Sequence, residues 1–220
     1  MPALIPPRFL IRLALPCPYV PVKAFGEKGF DLPAAAILDG RANLEGAFEF
    51  AQIRMGWNEL GIGVQVAVAG KKMDPVGDRD RPRSSDGLTL WLDTRGDRTA
   101  HRASRFCHQF HLLAAGGGDD RSEPTFVQSK INRALQDAPM ATADQVGFRG
   151  VVSRGGYRLE AFFPGSVLNG FDPEQYATLG VYTAVRDQEL GDQFLTVNQD
   201  FPFADDPSLW QALELVGKDQ

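Results

Sequence analysis

The chain has 220 residues, 43% of them hydrophobic, and its 28 acidic against 23 basic side chains give a formal net charge of −5. That length suits one β-rich domain with a true core. The acidic balance, with no dense Lys/Arg block outside 79–83 and 95–105, argues against nucleic acid as a partner. No apolar run approaches the roughly 20 residues of a membrane-crossing helix, so a soluble chain with no membrane partner is expected.

The N-terminal segment MPALIPPRFLIRLALPCPYVP has the apolar look of an export signal. Arg12 interrupts it, prolines flank both ends, and no small-residue cleavage site follows. It reads as a strand, with a cytoplasmic location expected. Cys17 and Cys107 could form one bridge, but nothing in their spacing demands it, and no Cys-x-x-Cys pair suggests zinc.

Further along, alternation with period two dominates. Ile62, Val64, Val66 and Val68 share one face, while Gly63, Gln65, Ala67 and Ala69 share the other. After a polar loop, 71–85, Leu88, Leu90 and Leu92 point inward, and Thr89, Trp91 and Asp93 outward. Tyr157, Leu159, Ala161 and Phe163 repeat the device, as do Leu179, Val181, Thr183 and Val185. Turn signals at Asn58-Glu59-Leu60-Gly61, Gly116–Asp120, Arg154-Gly155-Gly156, Pro164-Gly165 and Gly191-Asp192 separate the strands. Short helices are expected at Ile131–Asp137 and Pro173–Ala177. The pattern predicts one domain over 1–220, an all-β antiparallel β-sandwich of about ten strands with long loops and one or two short helices.

All three histidines fall in one segment, as His101, His108 and His111. On a strand, His108 and His111 point to opposite faces because their separation is odd, so they do not share a metal ion. A helix would bring His101, Arg105, His108 and His111 to one side and revive the metal reading.

Several segments, taken in order over about residues 48–216, resemble the family 9 carbohydrate-binding modules and the wider DOMON-like sandwiches. They are Met55-Gly56-Trp57-Asn58-Glu59 with Ile62-Gly63-Val64, Asp86-Gly87-Leu88-Thr89-Leu90-Trp91-Leu92-Asp93, and Gln109-Phe110. Gly156-Tyr157 with Glu160-Ala161, Leu179-Gly180 with Asp187, and Asp206-Pro207-Ser208 with Leu213 complete the set. Leu38-Asp39-Gly40 is similar to the acidic-Gly opening of such modules. The resemblance implies a strand over about 104–113, sugar binding on a concave sheet face, and calcium held by loop oxygens, for which Asp74, Asp78, Asp80, Asp97 and Asp187 are available. It also implies that Trp57 and Trp210 are buried. Modules of this kind sandwich the sugar ring between two Trp side chains; here those positions fall near Arg83 and Ala204, with Phe201 and Phe203 close to the second.

With Phe106, His108, Phe110 and Leu112 facing the core, Arg105, Cys107, Gln109, His111 and Leu113 face the other surface. The same phase adds Gln65, Thr89, Trp91, Asp93, Arg158, Glu160, Tyr182 and Arg186 to what is read as one ligand-facing wall. The candidate site centres on Trp91, Gln109, His111 and Tyr182, with Thr89, Arg105, Arg158, Glu160, Arg186 and Phe203 around them. Glu160 is expected to pair with Arg105 or Arg158, and Asp93 with Arg95 or Arg186. For catalysis, Asp93 and Glu160 form the one acid pair assignable to a shared face. No Gly-x-Ser-x-Gly, phosphate-binding glycine loop or zinc motif is present, and Met55, Met73, His108 and His111 show no arrangement for haem. The leading expectation is a non-catalytic module for a saccharide or other polar small molecule. The alternatives are a structural or protein-interaction scaffold with that face covered, and a hydrolase using Asp93 and Glu160.

Overall fold

The chain alternates so strictly that nearly all its regular structure is strand. A computed structural model describes residues 12–26, 28–39 and 49–217. β1 (Ala14–Pro18) is followed by a small hairpin, β2 (Phe25–Gly26) and β3 (Gly29–Phe30), and then by β4 (Ala51–Asn58) and β5 (Gly61–Ala69). β6 (Gly87–Asp93), β7 (Cys107–Gly117) and β8 (Glu123–Ser129) run consecutively, as do β9 (Gly147–Ser153) and β10 (Gly156–Pro164). β11 (Thr178–Asp187), β12 (Gly191–Phe194) and β13 (Gln211–Val216) close the chain.

Two main sheets result. The larger has the order β1-β13-β11-β6-β7-β8, with β12 also on β11; the smaller has the order β4-β5-β10-β9. Pairing is antiparallel except between β1 and β13. The inward sets predicted for β5, β6, β10 and β11 are all buried and meet between the sheets. Phe110 of β7 stacks on Phe163 of β10, with ring centroids 4.3 Å apart, tying the layers together. Each such side chain contributes on the order of 1.5–3 kcal/mol through burial. Trp57 and Trp210 are buried as the resemblance implies.

Short helices are present as 3-10 turns, among them Pro82–Ser84, Ala143–Gln145 and Pro207–Leu209, but not at the two expected places. Residues 131–137 and 173–177 are turns. Segments this short cannot nucleate a helix without tertiary support, and Arg133 takes a left-handed backbone conformation (φ 57°) that ends any helical run. Of the predicted N-terminal strand, Ala14–Pro18 is strand, and residues 1–11 lie outside the described residues, as does Gly40. Cys17 and Cys107 are both buried and unbridged, and burial raises the pKa of both thiols, that of Cys107 to about 12. No helix among the described residues is long and apolar enough to cross a membrane.

The loop after β5 is anchored by a buried cation. Lys71 Nζ lies 2.7 Å from Asp187 Oδ1 and 3.1 Å from Asp86 Oδ2, with its side chain 3% exposed. Burial opposes its charge, but hydrogen bonds and attraction from Asp187 and Asp86 outweigh that and raise its pKa.

Candidate ligand groove

The single wall expected from strand phase is two walls. Pairing places β5 and β10 in the smaller sheet and β6, β7 and β11 in the larger, so residues that all point away from the core point away from one another. Gln65, Arg158 and Glu160 lie on the outer face of the smaller sheet. Glu160 Oε1 accepts from Arg158 Nε at 2.7 Å and from Gln65 Nε2 at 2.9 Å, under the β2–β3 hairpin, where Arg158 also donates to the Phe30 carbonyl. Of the partners expected for Glu160, Arg158 is the one found. Phe25 of that hairpin packs over Gly63, where a Cβ would sit 1.9 Å from its ring. Asp93 belongs to the larger sheet and caps its own turn, accepting from the backbone N–H groups of Arg95 and Asp97. The Asp93–Glu160 acid pair does not exist, because a sandwich separates the two. Arg105 is exposed just before β7, its guanidinium over Phe106, away from both walls.

The remaining candidates do converge. On the outer face of the larger sheet, register sets Tyr182 opposite Trp91, Trp91 opposite Gln109, and Thr89 opposite His111. This face is more covered than a fully open recognition surface would be. Phe203 stacks on Tyr182 at 4.3 Å and meets Trp91 edge-on at 5.4 Å. Tyr182 donates its hydroxyl to the Val197 carbonyl, and Trp91 is 3% exposed. Trp210 donates its indole N–H to the Phe203 carbonyl at 2.7 Å, holding the covering segment in place.

A pocket of about 160 Å³ remains beside these rings. Its floor is Thr89, Trp91 and Ala184, and Arg83, Arg186, Asp192, Phe194, Phe203 and Ala204 also line it. It shares Arg83 and Arg186 with a shallower hollow of about 440 Å³ that reaches Asp80, Arg81, Ser129 and Lys130, so the two read as one groove. Arg186 is held by both Asp192 carboxylate oxygens, at 2.9 and 3.0 Å, and by the Arg83 carbonyl; the expected Asp93 partner is not used. Ala184, Asp192 and Phe194 were not anticipated. Ala184 was available by phase, since it alternates with Tyr182 and Arg186. Asp192 and Phe194 belong to a short strand after a turn, which carries no periodic signal of its own.

Beneath the groove runs a buried polar chain. Arg83 Nη2 donates to Gln109 Oε1 at 3.1 Å, which fixes the amide so that Gln109 Nε2 donates to His111 Nε2. Ser129 Oγ donates to the same nitrogen at 2.8 Å. The imidazole proton therefore sits on Nδ1 and is given to Thr89 Oγ1 at 3.0 Å. Burial, aided by the Arg83 charge, pushes His111 down to about 3. On the core side His108 stacks on Phe110, and its ring nitrogens make no well-aligned hydrogen bond among the described residues, the Asn169 backbone being the polar group that acts on them. Burial lowers His108 to about 4, with the Asn169 backbone opposing weakly.

Both histidines bind protons more readily unfolded than folded, so stability falls as pH drops below about 6.5, by up to about 1.4 kcal/mol per pH unit for each. Urea unfolding between pH ~7 and ~5 is expected to show this slope. The double variant His108→Phe/His111→Gln is expected to flatten it; an unchanged slope would place its origin elsewhere.

Three of the five carboxylates named for calcium have other work. Asp187 holds Lys71, Asp78 accepts from Arg121 at 3.1 Å, and Asp97 accepts from Thr99. Among the described residues, no three His, Cys, Asp or Glu side chains gather as a metal site.

The arrangement of sheets has clear counterparts among solved structures. A module from Caldicellulosiruptor kristjanssonii, solved in complex with cellotriose, superposes with a TM-score of 0.64 over 94% of this chain and 96% of its own, at 14% identity. The fold is that of the family 9 carbohydrate-binding modules. A second family 9 module from the same organism, solved with glucose, gives a TM-score of 0.56 at 16% identity, covering 80% of this chain and 82% of that one. No protein-family model matches the sequence, and no curated protein matches it significantly. On this family 9 fold, the groove is lined by both Arg83 and Ala204, the residues that stand near the positions of the aromatic pair.

Proposed function

We propose that this protein is a non-catalytic saccharide-binding module that takes its ligand in the groove on the outer face of the larger sheet. The observation that carries this reading is the meeting of Arg83, Ala204, Trp91 and Phe203 around one pocket on a fold whose solved counterparts were captured with cellotriose and glucose. One sugar ring would rest against Phe203 and the edge of the Trp91 indole, and guanidinium groups would take its oxygens. The missing Trp sandwich makes the grip on an apolar sugar face weaker than a two-Trp clamp, so polar contacts carry more of the recognition.

The test is to fill the floor. Ala184 is half-buried, so leucine there projects into the pocket without entering the core. Ala184→Leu is expected to weaken binding of whichever saccharide a glycan array selects by at least about tenfold in calorimetry, the equivalent of ~1.4 kcal/mol, with little change in unfolding temperature. Binding that survives the filled floor would remove the groove from the function.

A further inference from the structure

The polar groups that line the groove are unbalanced in a way that specifies the ligand. The chain carries a net charge of −5, yet the groove's lining has four cations, Arg81, Arg83, Lys130 and Arg186, against two carboxylates, Asp80 and Asp192. Asp192 is spent on Arg186, and Lys130 pairs with Asp137 at 2.6 Å. Arg83 is exposed, and its guanidinium bonds the Gln109 amide and no carboxylate among the described residues.

The uncharged groups point the same way. Because His111 gives its Nδ1 proton to Thr89 Oγ1, the Thr89 hydroxyl proton is left to be donated, and Thr89 lines the pocket. The carbonyl oxygens of Arg81, Arg83 and Ser84 already accept from Ser84, Arg186 and Gln188. In the deeper pocket, Thr89 and Arg83 keep donors to spare and the one carboxylate is occupied. A neutral sugar hydroxyl must both give and receive a proton, and an unpaired buried donor is costly. An anionic group only accepts.

We infer that the groove selects acidic saccharides, sugars bearing a carboxylate or a sulfate, with the anionic group held by Arg83 and the Thr89 hydroxyl. This rests on the groove being the saccharide seat. Guanidinium offers paired, charge-assisted bonds to either anion, which a lysine at the same place supplies only as a point charge.

The experiment is calorimetric titration of the full chain with trigalacturonate, a sulfated heparin tetrasaccharide and cellotriose, at low and high salt. At least one acidic ligand is expected to bind about tenfold or more tighter than cellotriose, with affinity falling as salt rises. The first two ligands tell carboxylate from sulfate. Arg83→Leu should lower the acidic ligand's affinity by about tenfold or more and that of cellotriose by clearly less, since a neutral sugar loses one hydrogen bond there and the anion loses its charged partner, while Arg83→Lys recovers part of the acidic ligand's loss. Arg83 is exposed on the 3-10 turn Pro82–Ser84, and matched unfolding temperatures would exclude misfolding. Cellotriose bound as tightly as the acidic ligands overturns the inference and leaves the saccharide seat standing. No binding of any of the three, with none on a glycan array, removes the seat and the inference together.

Discussion

Lys71→Met is expected to cost about 3–5 kcal/mol of folding stability, because it leaves two buried carboxylates facing one another without their cation. Asp86 and Asp187 are almost fully buried, and each has a second task. Asp86 accepts from the Val76 and Gln188 backbone N–H groups, while Asp187 accepts from those of Glu189 and Leu190. The carboxylates therefore cannot turn outward to water when the ammonium is removed. At ~2–4 °C per kcal/mol for a chain of this size, the unfolding temperature should fall by roughly 10 °C. Adding Asp187→Asn should recover part of the loss, since a charge no longer needs compensation, and that non-additivity identifies the pair. In the wild type the pKa of Lys71 is raised in the folded state above its ordinary 10.5. Its contribution is therefore complete below that value and declines as pH rises through the higher folded pKa. A variant that melts within a degree or two of the wild type would show that the loop after β5 is not anchored there.

Trp91→Ala is expected to destabilise the domain by about 3–5 kcal/mol, the usual cost of truncating a buried aromatic side chain. Two further rings rest on it: Phe203 meets it edge-on and Tyr182 lies 5.9 Å from it. Thermal and urea unfolding would register this loss, and an alanine variant of unchanged stability would mean that the covering segment lifts freely. Trp91→Phe keeps an aromatic ring under Phe203 and removes a buried indole N–H that has no hydrogen-bond partner among the described residues, so it should cost far less than the alanine variant.

Strand phase was legible because period two is a local property. Ile62, Leu88, Leu159 and Val181 are buried as their alternation requires, and Trp91, His111 and Tyr182 do face away from the core. What local alternation cannot carry is which sheet a strand joins. Glu160 and Trp91 share the description "outward", yet β10 pairs with β5 and β9 while β6 pairs with β7 and β11, so their outward directions are opposed. The near-complete burial of Trp91 was equally nonlocal, since it depends on Phe203, more than a hundred residues away. Arg83 and Ala204 were visible in the sequence only as places where an aromatic side chain was missing. Their meaning appeared once both were found lining one pocket and the unspent donors around them could be counted.

The floor of the groove belongs to β6 and β11, where Thr89, Trp91 and Ala184 alternate with Leu88, Leu90, Leu92 and Val185 of the core. A ligand thus lands on the same backbone that cements the two layers, and the seat cannot shift without disturbing the interior. Recognition should resemble docking to a rigid plate, with little ordering left to do on arrival. Changes of taste for one sugar over another would then arise by exchanging rim residues of the 79–84 and 192–204 segments, leaving the plate itself untouched.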